Sequence, residues 1–179
     1  MAVDLNQIAP ELTASIEKIF SRCRACGIVM RSYFALRSPL EQAKLWRQSR
    51  SIEEINEKIG YFKRSDAPFL ANCIQSVGPQ HGDPVTNVAP VFSWHQWGEV
   101  VDCFWLVNRQ AEWSAIKKIA GQNGYQIYVA EAKRLNLTPG GYWHILKDWP
   151  LVQLRAASDP GETMSLVEID AAMKAKFGS

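Results

Sequence analysis

The chain has no long unbroken apolar stretch. Asp4, Glu11 and Glu17 interrupt its first 27 residues, which denies them the core of a signal peptide, and no run of 18 apolar residues follows. The expectation is a protein made in the cytoplasm, without a membrane-inserted segment. An excess of one charge is missing as well. Twenty Lys and Arg face 18 Asp and Glu, so no strong field exists to hold nucleic acid or an anionic membrane, although a mild positive balance suits an acidic polymer. The single C-x-x-C, Cys23 and Cys26, lacks the second pair that a zinc ribbon needs. Cys23 continues the helical stripe of Leu12, Ile16, Ile19 and Phe20, so the four cysteines read as buried free thiols. There is no internal repeat and no low-complexity tract. Histidine occurs only three times, as His81, His95 and His144.

What the chain does have is 179 residues, 47% of them hydrophobic, with an excess of tryptophan at seven. That suits one domain spanning 1–179 with a sizeable core and no need of disulfides. Residues 10–25 read as an amphipathic helix closed by Gly27, and "IVMRSYF" (28–34) as a strand. Ser38, Pro39 and Glu41 spell a capped helix start, and Ser51 with Glu54 repeats the device before a short helix that stops at Gly60. Residues 76–90 are loop chemistry. "EVVDCFWLV" (99–107) reads as a strand, "EWSAIKKIAGQNG" (112–124) and "VAEAKRLNL" (129–137) as helices, and "LNLTPGGYWHILKDWPLVQL" (135–154) as two short strands around a Lys-Asp-Trp-Pro bend. A closing helix follows Asp159. Helices interleaved with a few strands, without a regular β-α-β rhythm, indicate the α+β class.

One residue in this pattern is out of place. In a strand, Val100, Asp102 and Phe104 share one face while Val101, Cys103 and Trp105 share the other, and Asp102 is the one polar residue among them. A charged carboxylate there needs a hydrogen-bonded partner, a buried arginine or a metal ion. His95 stands seven residues earlier, and Gly98 lets the chain bend between the two. Imidazole and carboxylate together suit zinc, whose hydrolytic sites combine three protein ligands with a water.

These residues carry a resemblance. "SWHQWGEVVD" resembles the S-x-H-x-x-G-x-A-x-D signature of zinc peptidases that cleave bacterial cell-wall peptides, the D-alanyl-D-alanine carboxypeptidases and L-alanyl-D-glutamate endopeptidases, which include endolysins and share the hedgehog-type fold. Ser93, His95, Gly98 and Asp102 match, and Val100 replaces alanine. "ALRSPLEQAKLWRQSR" is similar to the family's Y-R-S-x-x-E-Q-x-x-L block, with Arg37, Ser38, Glu41, Gln42 and Leu45 in register. "VTNVAP" (85–90) resembles the segment leading into the signature. Residues 135–154 resemble the closing L-x-L-x-x-G-G-x-W-x-x-x-x-D-x-P-H-x-Q block. The likeness spans about residues 10–155 and implies a small antiparallel sheet flanked by helices, with His95, Asp102 and Asp148 around a cleft. It also implies His95 and Asp102 as zinc ligands, Asp148 as general base, Arg37 as the group that polarises the scissile carbonyl, and Ser38, Gln42, Ser93 and Trp143 as substrate contacts. The substrate class would be peptidoglycan stem peptides, met after export or lysis, by a monomer. Taken alone, Arg37 reads as an ion-pair arginine and Asp148 as a turn residue.

The chain departs from the family at one position. Where the closing block carries its third zinc-ligand histidine, this sequence has Leu151, which has no lone pair to give. His144, on the order of 20 Å away if the chain is extended, is the candidate substitute. Three readings stay open: a natural pseudoenzyme, an enzyme with a displaced ligand, or an inactivated variant. A fourth, from another class, is a binding module using Trp94, Trp97, Trp143 and Trp149 to hold cell-wall peptide or a protein partner.

Overall fold

The computed structural model describes residues 3–90 and 92–178. The chain divides into two compact units, each discontinuous in sequence: Met1–Leu36 with Trp97–Ala156, and Arg37–Gln96 with Ala157–Ser179.

The first unit is a five-stranded sheet covered by helices. Helix α1 (Pro10–Ala25) starts with proline at its first position, where the missing N–H is no loss, and buries Leu12, Ile16, Ile19 and Cys23 on one stripe. The strands are β1 (Val29–Phe34), β2 (Val100–Val107), β3 (Gln110–Glu112), β4 (Thr138–Pro139) and β5 (Leu151–Gln153), and the path runs β1-β2-β5-β4 with β3 also on β2. Every pairing is antiparallel. Val101, Cys103 and Trp105 on one face of β2 join the α1 stripe and Tyr125, Tyr128, Val129 and Ala132 of α5 (Gly124–Arg134) in a single apolar core. Thus the class is α+β, with a small antiparallel sheet flanked by helices, as the pattern of elements indicated.

The second unit is helical: α2 (Pro39–Arg47), α3 (Ile52–Arg64), α4 (Pro68–Ser76) and α6 (Leu166–Phe177), with α4 packed against the other three. Both predicted capping boxes are present, and Ser165 with Glu168 forms a third. Glu54 is held below the usual carboxylate range by the backbone and side-chain hydrogen bonds of Ser51, and Glu168 is held low by the side chain and backbone of Ser165. A carboxylate depressed on folding adds stability above its unfolded value, about 4.3, and that stability disappears as pH falls through the folded value. The urea midpoint of this unit is therefore expected to drop between pH 6 and pH 3, and less steeply in the Ser51→Ala, Ser165→Ala double variant.

Two sequence expectations are corrected. The helix begun at Ser51 does not stop at Gly60 but runs to Arg64, with Phe62 fully buried beyond the glycine. A Cβ at Gly60 would meet only the flexible Arg64 guanidinium, at 3.0 Å. Gly60→Ala is thus expected to stabilise the chain by about 0.5–1 kcal/mol, read as a raised urea midpoint with unchanged slope. The helix expected over 112–124 does not form. Instead β3 ends at Glu112, and Asn123 donates to Ser114 O at 2.9 Å and Lys117 O at 2.7 Å across a turn-rich segment. Ile116 is 87% exposed there, so the apolar spacing had no core to face.

Cys23, Cys73 and Cys103 are buried free thiols as expected, whereas Cys26 is exposed. Burial, with help from Glu131 and Cys26, pushes the Cys23 thiol up to about 12, and burial with Asp170 pushes Cys73 to about 11. Thiols held this high are protonated and unreactive at neutral pH. Among the described residues, no helix is long and apolar enough to cross a membrane.

Candidate functional site

In the first unit the site is built on the middle of β2. The 3-10 turn Trp94–Trp97 leads into Gly98, whose φ of +73° is open to glycine and whose absent Cβ would lie 3.1 Å from Gln7 O and 3.2 Å from Ile8 Cα. From there β2 enters the sheet with its apolar face inward, leaving Asp102, 8% exposed, on the other face.

The residues opposite Asp102 on the neighbouring strands are both apolar. Phe34 of β1 pairs with it after a register shift, and Leu151 of β5 pairs with it on the other side. Cys103 N donates to Pro150 O at 2.9 Å, which makes the adjoining Asp102–Leu151 pair the narrow, non-hydrogen-bonded kind. In such pairs the Cα atoms stand about 4.5 Å apart and the side chains are at their closest. The position that the motif marks for a third ligand is therefore the direct cross-strand neighbour of the aspartate.

Asp148 lies three residues before β5, and its carbonyl accepts from Leu151 N at 3.3 Å. Its own N–H donates to Gly140 O at 3.0 Å, and a Cβ on Gly140 would come within 2.5 Å of Asp148 O. The Gly140-Gly141 pair thus exists for close approach. Gly140 admits the Asp148 backbone, and Gly141 admits the ring of Trp149, which would lie 2.7 Å from its Cβ. Behind Asp102, on the core face, burial raises the Cys103 thiol, with the Asp102 charge adding to the effect, and burial likewise raises the Tyr128 hydroxyl. Both stay neutral, so the core face supplies no charge to the site.

The expected pair of strands around a bend is only partly seen. β4 and β5 pair, but a 3-10 turn, Gly140–Tyr142, and bends at 144–146 separate them. His144 consequently has no strand parity. It is exposed on those bends, beside Ile145 and Leu146, which are 101% and 76% exposed. Trp143 is half-buried.

The second unit gathers the arginine side of the resemblance. Arg37 Nη1 donates to Gln42 Oε1 at 2.7 Å, and the fully buried Gln42 donates in turn to Val88 O at 2.7 Å. Arg37 N donates to His95 O at 3.2 Å, and Ser93 Oγ accepts from His95 N at 3.4 Å. Arg37 thus links Gln42 on one side to the buried His95 and Ser93 on the other, and the Val88 carbonyl, which leaves no mark in the residue type, fixes Gln42. The Ser38 hydroxyl is engaged in the α2 capping box with Glu41. Of the four tryptophans considered for a binding cleft, Trp94 is core, 4% exposed, with its indole N–H on Ala157 O at 2.9 Å.

Zinc is the group that the motifs imply, and the side chains present do not fit a hydrolytic zinc. Among the described residues no three His, Cys, Asp or Glu side chains gather in a metal-holding group, and leucine occupies the place beside Asp102.

No protein-family model matches this sequence, and no curated protein matches it. Among solved structures the chain is similar to a mutant of the vancomycin-resistance D,D-pentapeptidase VanY from the VanB-type resistance cassette, in complex with Zn(II). The identity is 18% and the TM-score 0.41, over 93% of this chain and 76% of that one.

Proposed function

We propose that the chain is a peptidoglycan-peptidase-like protein that recognises cell-wall stem peptides and whose hydrolysis is arrested at a single position, Leu151. One observation carries the reading: Leu151 stands directly across the narrow strand pair from Asp102, where the motif places a histidine. Three ordered sequence blocks support the family, and the donor set that they imply is reduced to His95 and Asp102.

Two protein ligands leave the metal weakly held and its water poorly aimed, so no hydrolytic step is assigned to this sequence. What remains is recognition. Arg37, braced by Gln42, is the guanidinium that the resemblance assigns to a peptide carbonyl or carboxylate. Asp148 is the carboxylate that would serve as base were a nucleophile restored.

The test compares the full chain with Leu151→His, both supplied with zinc, on purified stem peptides, following binding and the appearance of new termini. Binding without cleavage by the present sequence, and cleavage after the substitution, is the expected pattern. Efficient zinc-dependent cleavage by the present sequence would refute the arrest. Neither binding nor cleavage by either chain would refute the peptidase reading altogether.

A further inference from the structure

The helical unit contains a second cationic site that the peptidase motifs do not include. A cleft of about 440 Å³ opens where the end of α2, the start of α3 and residues 79–82 meet; Arg47, Arg50 and His81 line it together with Ile52, Ile55 and Pro79. Among the described residues, no acidic side chain lines it.

Arg47 is 7% exposed, and its one hydrogen bond runs from Nη1 to Ile74 O at 2.8 Å. Its Nε is buried without a partner, and Arg47 takes part in none of the ion pairs formed by the described residues. A guanidinium so placed has given up water without receiving a counter-ion, which is unfavourable unless a ligand supplies one. Arg50, stacked 4.7 Å over the Trp46 ring, donates to Thr86 O at 3.0 Å and lies 3.8 Å from Glu54; its Nε too is buried without a partner. The loop across the cleft is fastened rather than loose: Gln48 donates to His81 O at 3.1 Å, and Ser49 Oγ donates to Gly82 O.

From this arrangement we infer that the cleft binds a small aliphatic carboxylate. Arg47 bonds the protein through Nη1 and its Nε is closed off from solvent, so Nη2 is the donor left without a protein partner for a carboxylate oxygen to meet. Ile52, Ile55 and Pro79 give an aliphatic body somewhere to lie, a surface that a phosphate dianion could not use. The site stands independently of the proposed stem-peptide role.

Isovalerate titrated into the full isotope-labelled chain, with amide shifts of Ser49 and Gly82 as the readout, tests this. Saturable shifts are expected with isovalerate and none with its neutral amide, isovaleramide. Arg47→Lys and Arg50→Gln should each weaken isovalerate roughly tenfold, the loss of one charge-assisted hydrogen bond. Arg50→Gln keeps the test open should Arg47→Lys unfold. The inference is overturned by the absence of saturation with isovalerate, by an equal response to isovaleramide, by tighter binding of inorganic phosphate, or by unchanged affinity in the folded variants.

Discussion

Leu151→His is expected to raise zinc affinity by at least about a hundredfold and to introduce cleavage of stem peptides where the present sequence gives none. The size follows from the number of ligands. Outer-shell partners of a metal ligand are worth about 10–100-fold in affinity, and an inner ligand should matter no less. Geometry favours the gain because Asp102 and residue 151 form a narrow cross-strand pair, their Cα atoms about 4.5 Å apart. An imidazole and a carboxylate rooted at that spacing can both reach an ion about 2.0–2.2 Å from each. Leu151 is only half-buried, so the fold should tolerate the change. Metal content after exhaustive dialysis, and competition against a chromophoric chelator, give the affinity; peptide termini give the chemistry. Leu151→Ala should gain nothing, and adding Asp102→Asn to Leu151→His should abolish the gain. If zinc content in Leu151→His matched that of the present sequence at every concentration, residue 151 would not be the missing ligand.

Gly140→Ala should remove about 1–3 kcal/mol of stability, the usual range for forcing atoms into filled space. The new Cβ would sit 2.5 Å from Asp148 O and 3.0 Å from Asp148 Cβ, and neither the carbonyl nor the backbone behind it can swing aside like a long side chain. Relief requires the 148–150 segment to retreat, which breaks the Asp148 N to Gly140 O hydrogen bond and disturbs the strand start at Leu151. A fall in Tm on the order of 5–15 °C is expected for units of this size. Combined with Leu151→His, the substitution should reduce both cleavage and metal affinity, because it moves Asp148 and the strand start that carries residue 151. An unchanged Tm would mean that the 148–150 segment already moves freely. The opposite sign expected for Gly60→Ala makes the two glycines internal controls for each other.

Much of this was legible in the residues. α1, β1, β2 and the capping boxes of α2 and α3 follow from local rules of period and cap, and the two faces of β2 were separable by alternation alone. Leu151 was singled out by motif register, but its pairing with Asp102 across the sheet was not legible, because strand partners far apart in sequence leave no local mark. The failures have physical causes. Trp113, Ile116 and Ile119 recur at helical spacing, yet local hydrogen bonds from Asn123 offer the backbone another arrangement, and only Trp113 finds an apolar surface, on Tyr33 and Phe104, while Ile116 stays exposed. α3 passes through Gly60 because burying Phe62 outweighs the roughly 1 kcal/mol disadvantage of a helical glycine. α4 was missed although Pro68 stands at its first position, because Ala67 at its N-cap provides no side-chain cap to strengthen that signal.

The group that does mark the start of α4 is far away. Asp170 of α6, 6% exposed, accepts from Leu70 N at 2.9 Å, a link across 100 positions of chain. During synthesis, therefore, the ribosome delivers α4 long before the carboxylate that finishes it. Until residue 170 emerges, the amides at the start of α4 must rely on water, and Leu70, Ala71 and Ile74 lack the Ile169 and Met173 side of their core. The helical unit is thus a late-closing structure, and its assembly waits on the 100 positions of chain that separate Leu70 from Asp170.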